Sequence, residues 1–403
     1  MGPPRQPCAS LRPERSRSFA PFPGARVSIR PWRFISRPDG VATLTNVYEA
    51  AFEADRCSFG VHHASRPLPL AAMPVGTGPA ILMNAGFLLV ADEPFEAANP
   101  AYHLQIRGGW PIGLHSNGRT ALVEHAGRLR PLFVPARGWL AVGSERLDWV
   151  GCREPDPPPD VALAFGPQDQ GLVRDNSGIR LDRSRAAAPA RQGRLNVAFC
   201  CRDGRPEVAA ITDQAVPILG AAFIIQTPAA TAAKLRVGDP VVDWRIGQLA
   251  PDNASGAVTV SVELLVDQDR MLAALERERA VITRRAADDE PYFAARFGQK
   301  ARTCVIEDEA GRVFFLLFDA RPAQPGQRGL TLLDLAAYVQ EHHQARWAVV
   351  CDGGQSARLC GSRASGRRFS FGNRHYLDLT GAAPRWNGAS GRAVASAIFG
   401  GPA

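Results

Sequence analysis

Trp347-Ala-Val-Val-Cys-Asp-Gly-Gly-Gln-Ser356 decides how this chain is read, because a buried-type apolar run gives way within five residues to a carboxylate, two glycines and a hydroxyl. The run is too short for a helix and rich in β-formers, so it predicts a fully buried strand ending near Cys351. Gly353 and Gly354 permit positive φ and close backbone approach, so Asp352, Ser356 and the local N–H groups can converge on one polar ligand. Upstream, Gly329-Leu-Thr-Leu-Leu-Asp-Leu-Ala-Ala-Tyr-Val-Gln-Glu-His-His343 has apolar residues at 332, 335, 336 and 339. That spacing predicts an amphipathic helix, with Thr331 as its cap and Asp334 in its first turn. Before it, Arg312-Val-Phe-Phe-Leu-Leu-Phe-Asp319 is a second apolar run closed by an acid. If the two strands are parallel neighbours, Asp319 and Asp352 emerge on one sheet edge, where open α/β sheets place ligands. The fold class expected is therefore α+β or α/β, with mixed β-sheets flanked by helices.

At 403 residues and 45% hydrophobic, the chain can bury one large core or two moderate ones. The net charge is +8, but residues 1–40 hold eight arginines against Glu14 and Asp39, so +6 of it lies there and the remainder is nearly neutral. Such a basic, Pro-rich segment reads as a disordered leader. It has no apolar signal core, and the longest apolar stretch, 215–225, contains Pro217 and is too short to span a bilayer. The expected location is cytoplasmic as the sequence stands, and exported if the N-terminus is incomplete. Eight cysteines, at 8, 57, 152, 200, 201, 304, 351 and 360, form neither a CxxC nor a zinc-type cluster, so no disulfide framework is expected. Lysine occurs only at 234 and 300, whereas arginine occurs 45 times.

Residues 41–56 and 79–90 read as the first strands, and 109–134 as strands around the Ser116-Asn-Gly118 turn. The Glu154-Pro-Asp-Pro-Pro-Pro-Asp160 cluster and the polar 166–194 stretch read as loop or linker. Val258–Val266 alternates by two, predicting a strand with one wet face, and Asp267 caps a predicted helix running to about Arg285. No nucleotide-binding glycine motif is present, and the basic leader lacks interleaved aromatics, so no nucleic acid partner is expected. His62-His63 and His342-His343 read as structural, the latter pair as cations at a helix C-terminus.

Several blocks together resemble the phosphodiester glycosidase family. Met83-Asn-Ala-Gly-Phe-Leu88 is similar to its Asn-Gly-Gly-Phe block, Arg302-Thr303 to its Arg-Thr, and Phe318-Asp-Ala-Arg321 to its Asp-Gly-Arg. Gly329-Leu-Thr331 resembles the start of its helix, Asp352-Gly-Gly-Gln-Ser356 its Asp-Gly-Gly-Gly-Ser, and Arg392-Ala-Val-Ala-Ser-Ala-Ile398 its closing strand. Residues 41–90 and 292–400 carry the resemblance within a domain of 41–403, while 91–291 stays unaligned, an insertion or a diverged lobe. Departures from the pattern are Ala85, Leu88, Gln355, Ala357 and Ser396. Gln355 has a Cβ where the family has glycine, which predicts a different loop after Asp352.

The resemblance implies hydrolysis of a glycosyl phosphodiester. Breaking the anomeric C–O bond passes through an oxocarbenium-like transition state and releases a phosphate monoester, so the chemistry needs a carboxylate near the anomeric carbon and positive charge around the phosphate. It implies Asp352 as the catalytic carboxylate with Asp319 as partner, and Arg302 and Arg321 on the phosphate. Asn84 and Gly86 would hold the sugar, and Gly353, Gly354 and Ser356 would complete a polar cradle. No cofactor is expected; aspartates at loop ends leave room for Ca²⁺ or Mg²⁺, although no EF-hand spacing and no metal ligand set is identified. The expected partner is a small-molecule or polymeric glycan phosphodiester, with no membrane span and no readable oligomeric state. The alternative is a catalytically inactive protein of the same fold that binds glycans or phosphosugars.

Overall fold

The computed structural model describes residues 14–36, 40–74, 78–86, 104–115, 118–153, 157–166, 172–175, 178–181, 187–217, 222–260, 262–263, 298–321, 326–372, 375–376, 385–386 and 393–403. Among the described residues the protein is mostly β, with 57% in strands and 7% in helix. This corrects the expected α+β or α/β class: two α-helices are described, Ala229–Ala232 and Leu332–His342. The helix expected over 267–285 lies outside the described residues.

The first sheet has seven strands in the order Arg17–Phe19, Ala25–Ile35, Ala42–Phe52, Val313–Phe318, Arg302–Asp308, Ala345–Val350, Val262–Glu263. Every neighbouring pair in it is antiparallel. Val313–Phe318 and Ala345–Val350 are thus not parallel neighbours; both are paired with Arg302–Asp308, which runs between them in the opposite direction. The apolar runs look like parallel-sheet strands because both faces of this sheet are covered. In Val313–Phe318, Val313, Phe315 and Leu317 join a core facing a second sheet. Phe314, Leu316 and Phe318 join another core facing Leu332, Leu335, Ala336 and Val339 of the helix. An antiparallel strand covered on both sides therefore loses the polar alternation that normally betrays it.

The facing sheet has five strands in the order Arg368–Gly372, Arg358–Ser362, Ile81–Asn84, Ala393–Pro402, Cys57–Pro69. Phe52 and Phe315 meet edge to face, their ring centroids 4.8 Å apart, and Phe52 meets Phe59 of the facing sheet the same way at 5.3 Å. The middle of the chain forms a second lobe. It comprises another seven-stranded sheet, containing Arg137–Val142, Glu145–Gly151, Ala162–Phe165 and Arg194–Arg202, and a five-stranded sheet containing Arg119–His125, Arg128–Val134 and Gly256–Thr259. Trp149, Trp244, Phe199 and Phe223 fill its core.

Residues read as a disordered leader contain two strands. Ala25–Ile35 pairs with Ala42–Phe52 over its whole length, and Ala25, Val27 and Ile29 are buried while Arg26 is exposed. Arginines on the outer face of an alternating strand gave the segment its disordered composition. Pro31 sits where the strand has lost its second neighbour, since Arg17–Phe19 pairs only with 27–29, so its missing N–H faces an open edge. The hairpin of 119–134 turns at Ala126-Gly127, both with positive φ (+49° and +73°), as a two-residue turn requires, while Ser116 and Asn117 of the turn expected from sequence lie outside the described residues. The strand expected over 258–266 is split. Gly256–Thr259 is buried on both faces in the second lobe, and Val262–Glu263 joins the first sheet.

The seven described cysteines are all free. His63 is fully enclosed with Nε2 2.8 Å from the Ala257 carbonyl, and burial pushes its pKa down to about 3; burial pushes His115 down to about 4. Both are neutral in the fold and charge at about 6.5 when unfolded. Between those values the unfolded chain binds more protons, so stability is full above pH 6.5 and is lost as pH falls toward 4. The expected loss is on the order of 2 kcal/mol for each histidine, measurable as a drop in urea midpoint between pH 7.5 and pH 4.5. A midpoint unchanged over that range contradicts the buried neutral state.

Candidate active site

The antiparallel order of the first sheet places three chemically active positions at one end. Arg302 opens its strand opposite Phe318, so Asp319 leaves the sheet beside it, and Cys351-Asp352 leaves the neighbouring strand at the same end. Asp319 is buried; its Oδ2 accepts from the Tyr48 hydroxyl at 3.0 Å, and its carbonyl accepts from Thr45 Oγ1 at 2.8 Å. The Tyr48 ring in turn stacks on Phe371 of the facing sheet.

Asp352 sits on the tie between the two sheets. Its N–H donates to the Ala85 carbonyl at 2.8 Å, and its own carbonyl accepts from Thr303 Oγ1 at 2.8 Å and from the Asn84 side-chain amide. All three bonds use the backbone of 352, and the residue is half-buried. The Asn84 Oδ1 accepts from the Arg358 N–H at 2.9 Å, so one wholly buried amide holds both ends of the 352–358 loop. Gly86 continues this tie. Its N–H donates to Ser396 Oγ at 2.9 Å, and a Cβ there would stand 2.6 Å from Val258 Cγ2. Ser396, a departure from the family pattern, thereby supplies the acceptor.

The loop after Asp352 is pressed onto the start of the Arg302 strand. The Gly354 N–H donates to the Ala301 carbonyl at 2.8 Å, and a Cβ at Gly353 would stand 2.6 Å from that same oxygen. Gly354 takes the left-handed conformation (φ +61°), and Gln355 occupies the middle of the short 3-10 turn Gly354–Ser356. The Ser356 N–H donates to the Gly353 carbonyl at 3.2 Å, and the residue is buried. The N–H of 354 is therefore spent on Ala301 and that of 356 within the turn, rather than offered to a ligand. Gly353→Ala is expected to cost about 1–3 kcal/mol, because the obstructing atom is backbone, and to shift Asp352; a denaturant midpoint within 0.2 M of wild type would contradict this.

Arg302 is buried with its guanidinium turned to backbone: Nε donates to the Leu330 carbonyl at 3.0 Å and Nη2 to the Gly298 carbonyl at 2.7 Å. Burial pushes its pKa down to about 9, opposed by the attraction of Asp334. Asp334 is the first-turn acid of the helix expected from sequence. Its Oδ2 accepts from the Thr331 N–H, the Thr331 hydroxyl (2.7 Å) and Ser36 Oγ (3.1 Å), completing a capping box. Arg321 is half-buried two residues beyond Asp319, and its N–H is bonded to the Gln327 carbonyl.

Lys300 is the neighbour that the motifs missed. Its side-chain Cδ lies 4.0 Å from where a Cβ of Gly354 would stand, and its ammonium is attracted by Asp352. The available signal was its rarity, one of two lysines among 45 arginines. Among the described residues, no group of three or more His, Cys, Asp or Glu side chains could hold a metal ion. None of the described helices is long and apolar enough to cross a membrane.

Residues 212–399 match the family model described as phosphodiester glycosidase. The match begins well before 292, so it takes in strands of the second lobe that the sequence motifs left unassigned. No curated protein matches the chain. Among solved structures, the chain is similar to a putative exported protein from Burkholderia pseudomallei K96243, with TM-score 0.51 and 16% identity over 90% of this chain and 75% of that one. It is also similar to a hypothetical protein from Synechocystis, with TM-score 0.49 and 16% identity over 94% of this chain. The chain spans 62% of the length of that Synechocystis protein. A third is the zebrafish N-acetylglucosamine-1-phosphodiester alpha-N-acetylglucosaminidase catalytic domain, auto-inhibited by its pro-peptide, with TM-score 0.39 and 12% identity over 95% of this chain and 87% of that one. At 16% identity the likeness to the Burkholderia protein is one of fold. Residues 212–399, which carry Asp319, Asp352 and the turn that follows, are thus the part of the chain that resembles the phosphodiester glycosidase family.

Proposed function

We propose that the protein is a hydrolase that cleaves a glycosyl phosphodiester, with the Asp352 carboxylate acting at the anomeric carbon. The observation that carries this reading is the anchoring of Asp352. Three hydrogen bonds fix its backbone between two sheets, and the residue is half-buried at the sheet end that also carries Asp319 and Arg302. Preorganisation of that kind costs stability elsewhere and is repaid when the group meets a transition state. In the reaction the C–O bond at the anomeric carbon breaks, and its electron pair stays on the phosphate oxygen. Water adds its oxygen to the carbon, and its proton passes to Asp352 or to solvent. The products are a free sugar and a phosphate monoester.

On this reading Asp319, held by Tyr48, is the second carboxylate, and Arg321 is a cation on the phosphate side. Asn84 is assigned a positioning role, since its amide is already engaged with Asp352 and Arg358. The engagement of Arg302 with two carbonyls favours a brace for the 298–302 segment over direct contact with phosphate. That same engagement is the observation in favour of the alternative, a glycan- or phosphosugar-binding protein without turnover. The test is incubation with a panel of sugar-1-phosphodiesters, following both products by chromatography. Stoichiometric release of sugar and phosphate monoester supports the hydrolase. Thermal stabilisation by a panel member with no release from any of them supports the binding protein.

A further inference from the structure

We infer that Lys300, held against the turn that follows Asp352, is the cation that meets the departing phosphate. The inference rests on the proposed hydrolase reading and names a residue that the sequence motifs do not contain. The backbone of Lys300 is locked from both sides. Its N–H donates to the Leu330 carbonyl at 3.2 Å, and its own carbonyl accepts from the Leu330 N–H at 3.0 Å. Gly329 makes this approach possible, since at its φ of +93° a Cβ would stand 2.3 Å from the Lys300 oxygen. One residue on, the Ala301 carbonyl takes the Gly354 N–H, so the 300–301 segment and the 353–354 turn move as one piece.

The side chain follows the same line. Among the described residues, Lys300 Cδ is the atom that meets the space beside Gly354, 4.0 Å from where a Cβ would stand, so the aliphatic stem packs on the turn that follows Asp352. The guanidinium of Arg302 donates to the Gly298 and Leu330 carbonyls. Burial and the charge of Arg302 push the Lys300 ammonium down to about 7, with Asp352 opposing them. A chain that uses arginine 45 times places one of its two lysines here. The other, Lys234, is an exposed partner of Glu145 at 3.5 Å. Lysine differs from arginine where it matters: its charge is compact, and the proton can leave when the group is buried.

The chemistry fits that difference. A phosphodiester carries one negative charge, and C–O cleavage leaves the bridging oxygen with a second. An ammonium within a partly dehydrated site compensates the developing charge more strongly than it does the ground state. The ammonium must keep its proton to act, so kcat/KM is expected to carry a basic limb, falling as pH rises through the free-enzyme value, apart from the acid limb that ionisation of Asp352 sets.

Two measurements decide the matter, and the first does not depend on turnover. In full-length protein with isotope-labelled lysine, NMR titration has only two side chains to follow, assigned with the Lys234→Arg variant. Lys300 is expected to titrate near pH 7, and saturating inorganic phosphate is expected to raise its midpoint by at least one unit. A Lys300 midpoint in the ordinary lysine range, with no response to phosphate, overturns the inference. The second is the pH profile on a panel diester that wild type cleaves. Lys300→Met is expected to lower kcat/KM by about 10²–10³-fold and abolish the basic limb. Lys300→Arg is expected to recover part of the rate with the limb displaced above pH 9. Equal losses in both variants with the limb unmoved mean a structural role and overturn the inference. If wild type cleaves no diester, the hydrolase reading fails, and the phosphate titration still decides whether Lys300 binds phosphate.

Discussion

Replacing Asp352 with asparagine is expected to lower turnover of a glycosyl phosphodiester by at least 10³-fold while leaving thermal stability within about 2 °C of wild type. The two halves of this expectation have separate causes. Stability is unaffected because the three anchoring bonds use the N–H and carbonyl of residue 352, which asparagine also has. Activity is lost because an amide cannot accept a proton from water or stabilise an oxocarbenium-like carbon. The substitution also removes the charge that holds the Lys300 proton in place, so any residual activity is expected to lose its basic limb at a lower pH than wild type does. Near-normal turnover in the variant would remove Asp352 from the mechanism.

The second large effect is one of stability. Arg302→Leu is expected to destabilise the protein by about 3–5 kcal/mol, because Asp334 keeps a buried charge with its attracting cation gone. The Gly298 carbonyl loses the Arg302 donor in the same step, and the Leu330 carbonyl keeps the Lys300 N–H but loses the guanidinium. Asp334→Asn in the Arg302→Leu background is expected to recover part of the loss, which a double-mutant cycle by urea denaturation measures. A cost below 1 kcal/mol, together with selective loss of phosphate binding, would instead put the Arg302 guanidinium on the substrate.

Much of the site end was legible because local chemistry and long-range placement agree there. Trp347–Ser356 forms a buried strand followed by a glycine turn, and Thr331 with Asp334 caps the helix expected at 332–342. What could not be read depended on which surface each strand meets. The runs at 313–318 and 345–350 are apolar throughout because one face meets a sheet and the other a helix, a pattern shared by parallel sheets. The 25–35 strand was hidden by arginines that its pleat turns outward. Asn84 looked like a ligand group at a strand end, and its engagement with the 352–358 loop, some 270 residues later, leaves no trace in local sequence. The position of Lys300 likewise depends on Gly329 and Gly354, which only the folded chain brings to it.

The seating of Asn84 also sets a clock for biosynthesis. Its strand, Ile81–Asn84, is flanked in the sheet by Arg358–Ser362 on one side and Ala393–Pro402 on the other, and the latter also pairs with Cys57–Pro69. As the chain leaves the ribosome, the strands at 57–69 and 81–84 therefore wait for more than three hundred residues before the strand that separates them exists. During that interval both present unpaired, largely apolar edges, the state most exposed to mispairing and most in need of a chaperone. Completion of the site is thus a late event, reached only once residues 393–402 are available and the 352–358 loop can close on an asparagine made some 270 residues earlier.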